Sequence, residues 1–462
     1  MSNMTSLVGE GTEGVRITDV KVTGLFGQYS YDIRGLQRCA ILYGDNGVGK
    51  TNILTLLYHL LSPAPKAKHR TLLTKMRFQA LEVNFSTGIQ VSAFRETAEN
   101  VRTLVTRGEE LLGGWTWGPK TSPMHLLGST AGFDKNDVNN SKQVRRAIEH
   151  ALYLQMRRDS NPNESEEAYL AALKTHVPPI YLLAADRVLR SDELEGSESE
   201  VLSQRVSTVQ MVERGRQRAL SDAINYASHA LYQAGVKATA LGRRSMHSIY
   251  SDLLRRIAAR TNYPQHDTNT LDSTLSGLGF LSMKYDRYAK YGLSEGLGGD
   301  ELTGLLRRAL EVNSDLAHDI LTPYLDSLKE QAHSFDEAFQ AIDSVIGTLN
   351  DFLFDKEAIF DMVNGIQFKN HIGERIDPSD LSSGEQQLVL LFCHIVTASN
   401  RSGIFIIDEP EISLNIKWQR KLVDALLELD SRSQLQFVMA SHSMEILSKH
   451  RSRVISLENN RI

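Results

Sequence analysis

The segment Gly44-Asp45-Asn46-Gly47-Val48-Gly49-Lys50-Thr51 constrains the fold of this chain more than any other. An apolar run, Ala40-Ile41-Leu42-Tyr43, precedes it; Ile53, Leu54, Leu56, Leu57 and Leu60 follow at helical spacing until Pro63 and Pro65. Strand, glycine loop and helix in that order let successive backbone N–H groups turn onto a polyphosphate without steric hindrance. Gly44, Asn46, Gly47 and Gly49 form the expected cradle. Lys50 can reach the β and γ phosphates, and the Thr51 hydroxyl can ligate Mg²⁺. A plain glycine turn with a chance Lys-Thr pair is the alternative, and the flanking elements weigh against it.

Far along the chain, Ile404-Phe405-Ile406-Ile407 reads as a buried strand that delivers Asp408 and Glu409 to the carboxyl edge of a sheet. Asp408 suits a Mg²⁺ shell, and Glu409 suits the orientation and deprotonation of an attacking water. Alone, two acids at a strand end are equally well a solvated terminus. The segment Leu381-Ser382-Ser383-Gly384-Glu385-Gln386-Gln387 has the S-x-x-E spacing of a capping box, which needs no further role. The free N–H groups of the helix it starts could also hold a phosphate, which Ser382, Ser383 and Gly384 would let approach. His442, just beyond an apolar run, could hydrogen-bond phosphate or water, although a lone histidine at a strand end is usually structural.

Together these segments resemble the phosphate loop, signature, Walker B and switch histidine of ABC-type ATPases. The variants Gly-Asp-Asn-Gly-Val-Gly-Lys-Thr, Leu-Ser-Ser-Gly-Glu-Gln-Gln and Asp-Glu-Pro-Glu, with the opening Gly24 to Ile33, are similar to the SMC, RecF and OLD branch. The resemblance implies an α/β head, a mixed sheet flanked by helices, split by a mainly helical insertion. It also implies a homodimer, or a higher oligomer, that sandwiches ATP and Mg²⁺ between two heads. Lys50, Thr51, Asp408, Glu409 and His442 would come from one protomer, and Ser382, Ser383 and Gly384 from the other. Asn415 stands in the D-loop where many relatives carry Asp or His. Asp186-Arg187 is the substitute for a Q-loop glutamine that is not otherwise evident.

The resemblance implies hydrolysis of ATP to ADP and phosphate, used as a conformational switch. The implied setting is an antiphage defence system similar to PARIS or Septu, with a separately encoded effector, a TOPRIM or other nuclease, under its control. A RecF-like repair ATPase acting on DNA is an alternative. A transporter motor subunit is a third reading, against which stand Glu411 after Pro410 and the long stretch between Lys50 and Ser382.

The remaining sequence sets bounds. A chain of 462 residues is long enough for two domains or one head with an insertion. Its two cysteines offer no disulfide framework, its start does not read as a secretory signal, and its apolar runs are too short to cross a bilayer, so a cytoplasmic setting without membrane contact is expected. The net charge of −5 argues against coating nucleic acid, but basic residues between Arg205 and Arg260 leave DNA contact open. The expected organisation is a flexible tail over 1–13, an N-terminal head part over 14–190, a helical insertion over 191–355, and a C-terminal head part over 356–462. Strands are expected at Ile17 to Val22 and within 80–94, and the last third should alternate helix and strand, which makes a parallel sheet.

Overall fold

The computed structural model describes residues 14–64, 69–118, 163–184, 189–191, 215, 217–240, 268–297, 304, 314–399, 402–430, 434–458 and 461. The expected tail, Asp186-Arg187, and all the basic residues of 205–260 except Arg218 and Lys237 lie outside them. The chain forms two compact units: 1–205 with 401–420 and 432–462, and 206–400 with 421–431.

The first unit holds two six-stranded sheets. One is antiparallel, in the order β2-β1-β4-β5-β6-β7, from β1 (Ile17–Leu25), β2 (Tyr29–Ile33), β4 (Ala80–Phe85), β5 (Ile89–Arg95), β6 (Val101–Arg107) and β7 (Glu110–Trp117). Its strands β4 and β6 bury alternate residues, as a sheet with a single covered face requires. The second, in the order β15-β3-β14-β13-β8-β9, uses β3 (Cys39–Tyr43), β8 (Ile180–Leu183), β9 (Leu189–Ser191), β13 (Gly403–Asp408), β14 (Leu435–Ala440) and β15 (Val454–Ser456). It is parallel except for the antiparallel edge strand β9. Every residue of β13 and β14 is buried, which explains why both read as continuous apolar runs without alternation.

The helix Lys50–Leu61 packs against β8, β13 and β14 of the parallel sheet and against β5 of the antiparallel one. It is buried on nearly all sides, with Ile53, Leu54, Leu56 and Leu57 in one continuous core beside Val83, Val91, Ile404 and Val438. Burial from two directions fixes the phosphate-loop helix between two rigid layers. Helix Glu166–His176 closes over β6 and β7, capped by the Ser165 hydroxyl, which accepts from the Ala168 amide at 3.0 Å. A Cβ at Gly113 would sit 2.7 Å from the Ala168 carbonyl, so this approach needs glycine.

The second unit contains helices 217–240, Thr268–Ala289, Ser314–Phe352 and Ser383–Ala398, with an antiparallel sheet of β10 (Lys356–Asp361), β11 (Gly365–Asn370) and β12 (Arg375–Ile376). The Tyr285, Tyr288 and Tyr291 hydroxyls donate in turn to Gln331, Asp336 and Asp343. The partners rise together along both helices, so the two run parallel. No helix among the described residues is long and apolar enough to cross a membrane.

Candidate functional site

The strand order β3-β14-β13 determines what meets at the sheet edge. Parallel register sets Leu42 against Ala440 and Ala440 against Asp408. The loop after β3, the acids ending β13 and the turn after β14 therefore leave from neighbouring carboxyl ends, where ligands of such sheets bind. Lys50, Thr51, Asp408, Glu409 and His442 all lie at this edge of the first unit.

Gly47 and Gly49 hold φ angles of 87° and 97°, which side chains with a Cβ rarely adopt. A Cβ on Gly49 would also fall 2.6 Å from Leu25 Cδ2. The Tyr31 hydroxyl donates to the Val48 carbonyl at 2.9 Å and braces the loop from β2. Lys50 Nζ turns back to donate to the Gly44 and Asp45 carbonyls at 2.8 and 3.0 Å. Burial pulls the Lys50 ammonium below the usual lysine range, while the carboxylates of Glu409, Asp408, Asp45 and Glu411 pull the other way.

Thr51, the residue after Lys50 at the start of the helix, lies near enough to the Asp408 carboxylate to favour its charged form. Burial raises the Asp408 carboxyl above the ordinary aspartate range, Glu409 and Glu411 reinforce the shift, and Thr51 and Lys50 oppose it. Asp408 Oδ1 is buried without a hydrogen-bond partner. A buried carboxylate oxygen left over beside a hydroxyl is a hard oxygen pair, the donor chemistry that Mg²⁺ takes, so these residues fit the ion.

Glu409 has a φ of 50°, rare for a residue with a side chain, and its amide donates to the Ala440 carbonyl at 2.9 Å. The turn aims its carboxylate toward His442, whose Nε2 lies 3.8 Å from Glu409 Oε1. Both side chains are about one-third exposed, accessible to water and substrate.

Ser382, Ser383 and Gly384 belong to the second unit. There the capping box forms: the Ser382 amide donates to Glu385 Oε2 at 2.7 Å, and the Glu385 amide to the Ser382 hydroxyl at 3.4 Å. Lys356 Nζ donates to both Glu385 oxygens at 3.1 Å. Burial works to raise the Glu385 carboxyl, but its bonds to Ser382 and Lys356 outweigh it and hold the group below the usual range. The capping reading of this segment is thus observed, and the helix keeps free N–H groups in its first turn.

Glu411 holds the turn after β14. Its Oε1 accepts from the Ser441 hydroxyl at 2.8 Å and from the His442 and Ser443 amides at 2.7 and 3.0 Å. The only signal in the sequence was the acid placed after Pro410.

A glycine loop ahead of a helix packed between two sheets, with strand-end acids at the same sheet edge, is the arrangement of a P-loop nucleotide-binding fold. The chain belongs to the family described as "AAA domain, putative AbiEii toxin, Type IV TA system", whose model matches residues 209–448. It is 32% identical over 104 residues, 22% of the chain, to the cell division ATP-binding protein FtsE of Bacillus subtilis, of which the match covers 43%. It is 30% identical over 89 residues, 19% of the chain, to the lipoprotein-releasing system ATP-binding protein LolD of Pseudomonas fluorescens, of which the match covers 37%. The chain thus spans less than half the length of these curated relatives. Among solved structures, the Smc head domain of Pyrococcus furiosus bound to the C-terminal domain of ScpA aligns at 12% identity with a TM-score of 0.36, over 96% of this chain and 93% of that one.

Proposed function

We propose that this chain binds and hydrolyses ATP at the β3-β14-β13 edge and uses the cycle as a conformational switch. The observation that carries this is the parallel register that brings the loop before Lys50 and Thr51 and the strand end bearing Asp408 to one sheet edge, with Glu409 and His442 beside them. Thr51 and Asp408 would hold Mg²⁺, which when bound neutralises phosphate charge. Gly44, Asn46, Gly47 and Gly49 would wrap the phosphates with backbone N–H groups. Lys50 would exchange its bonds to the Gly44 and Asp45 carbonyls for phosphate oxygens. Glu409 would orient and deprotonate the attacking water, and His442 would hydrogen-bond the terminal phosphate.

The free N–H groups above the Ser382 cap have no substrate role within one head that this reading uses. We assign Ser382, Ser383 and Gly384 to the γ-phosphate of a second copy, which makes the active species a homodimer closed by two ATP molecules. The head is read as 14–190 with 356–462, and 191–355 as its insertion. The switch would govern a separately encoded effector, a nuclease, in antiphage defence.

Phosphate release by the purified protein, with and without Mg²⁺, tests the chemistry. Hydrolysis that needs Mg²⁺ and vanishes with Lys50→Ala supports it, and a Lys50→Ala protein that binds ATP as tightly as wild type would remove the phosphate-loop assignment. Co-expression with the neighbouring gene, followed by co-purification, tests the effector.

A further inference from the structure

Glu411 makes three hydrogen bonds that no part of the hydrolysis scheme uses. It sits three residues beyond Asp408, yet its Oε1 gathers the Ser441 hydroxyl and two consecutive amides, those of His442 and Ser443. Ser441 Oγ in turn accepts from the Ser443 amide at 3.1 Å. Amides accepted by a carboxylate form charge-assisted bonds, stronger than neutral ones. The turn that carries His442 is thereby pinned to the loop after β13 and not merely to its own strand.

A second tie runs in parallel. The Ser443 hydroxyl donates to Gln419 Oε1 at 2.7 Å, and Gln419 Nε2 donates back to the Leu414 carbonyl at 2.9 Å. The loop between the ties is wound into successive turns, with the Ile412 amide on the Glu409 carbonyl and the Leu414 amide on that of Glu411. Glu409, Glu411 and His442 are therefore parts of one braced unit. Glu411 Oε2 is buried without a partner, so the carboxylate keeps its place through Oε1 alone.

We propose that Glu411 is the positioning residue of His442: it sets the His442 ring against Glu409 and makes the switch turn move with the loop at 410–415. The proposal rests on the ATPase reading for its kinetic consequence, but its structural core does not. Glutamine at 411 keeps an oxygen where Oε1 accepts and places its amide NH2 where Oε2 has no partner. Alanine removes the acceptor altogether.

Steady-state ATPase kinetics and amide hydrogen exchange should be measured together on wild type, Glu411→Ala and Glu411→Gln. Glu411→Ala should lower kcat by about 10- to 100-fold with KM little changed, the loss expected for a displaced group, and Glu411→Gln should recover most of it. The peptide containing His442 and Ser443 should lose exchange protection in the alanine variant and keep it in the glutamine one. Wild-type kcat together with unchanged protection in Glu411→Ala would overturn the proposal while leaving the ATPase reading intact. If wild type does not hydrolyse ATP, the reading of function falls, and the exchange result alone decides whether Glu411 holds the turn.

Discussion

Glu409 Oε1 faces His442 Nε2 across 3.8 Å, and the two arrive from adjacent strands whose ends are bonded by the Glu409 amide and the Ala440 carbonyl. The gap is too long for a hydrogen bond, and a water seated to one side of the pair could reach both groups.

That spacing separates the roles of the two residues. Glu409→Gln should keep nucleotide affinity and lower hydrolysis by about a hundredfold or more, because the side chain retains its shape but cannot take a proton. His442→Ala should also keep affinity while losing rate. Equilibrium binding of a fluorescent ATP analogue alongside phosphate release checks both. A Glu409→Gln protein that turns over at the wild-type rate would remove Glu409 from the chemistry.

The phosphate loop has its own structural test. Gly49→Ala meets two obstacles, a φ of 97° and a Cβ 2.6 Å from Leu25 Cδ2. The backbone term alone costs about 1–3 kcal/mol. Denaturant unfolding should show the loss, and adding Leu25→Ala should relieve the clash without relieving the backbone strain, so the double variant stays below Leu25→Ala alone.

Sequence alone made the parallel sheet legible because its strands are buried on both faces: Ile404 to Ile407 and Leu435 to Ala440 could not be solvated segments. Between them a helix forms over Ile416–Leu429, as the expected alternation of helix and strand requires. The antiparallel sheet was legible only in part. The hairpin at 80–94 was read, but β2, β6 and β7 were not. Gly113 lies inside β7, where the Ala168 carbonyl of a helix some fifty residues on requires it. Contacts of that range leave no local trace, and the bonds from Glu411 to Ser441, His442 and Ser443 escaped for the same reason.

Asp408 predicts an unusual dependence on pH. Burial raises its carboxyl above the ordinary aspartate value of 3.8, so the folded protein favours the protonated form. The stability this contributes is fully present below 3.8 and is lost as pH rises through the raised value, leaving a buried charge that strains the nucleotide-free protein at neutral pH. Asp408→Asn should therefore raise the melting temperature at neutral pH without Mg²⁺-ATP, with a gain that shrinks on acidification. The same variant should lose the further stabilisation that Mg²⁺-ATP gives wild type. Thermal melts across pH, with and without Mg²⁺-ATP, check both.

Lys356 and Glu385 make the opposite case in the second unit. Glu385 is almost fully buried, and burial would raise its carboxyl, but the Ser382 bonds and the Lys356 ammonium hold it below the ordinary value of 4.5. The stability it contributes is present above 4.5 and is lost as pH falls through the lowered value. Lys356→Met leaves the carboxylate with only its Ser382 partners and should cost about 1–3 kcal/mol at neutral pH, the range for a buried polar group that loses a partner. The difference from wild type should narrow at a pH below the lowered value, where Glu385 of the folded protein protonates. Glu385→Gln removes the charge that Lys356 compensates, so adding it to Lys356→Met should cost less than the two single losses together. Urea unfolding of the four proteins at both pH values closes the cycle, and strict additivity would mean that Lys356 does not support the start of the Ser383–Ala398 helix.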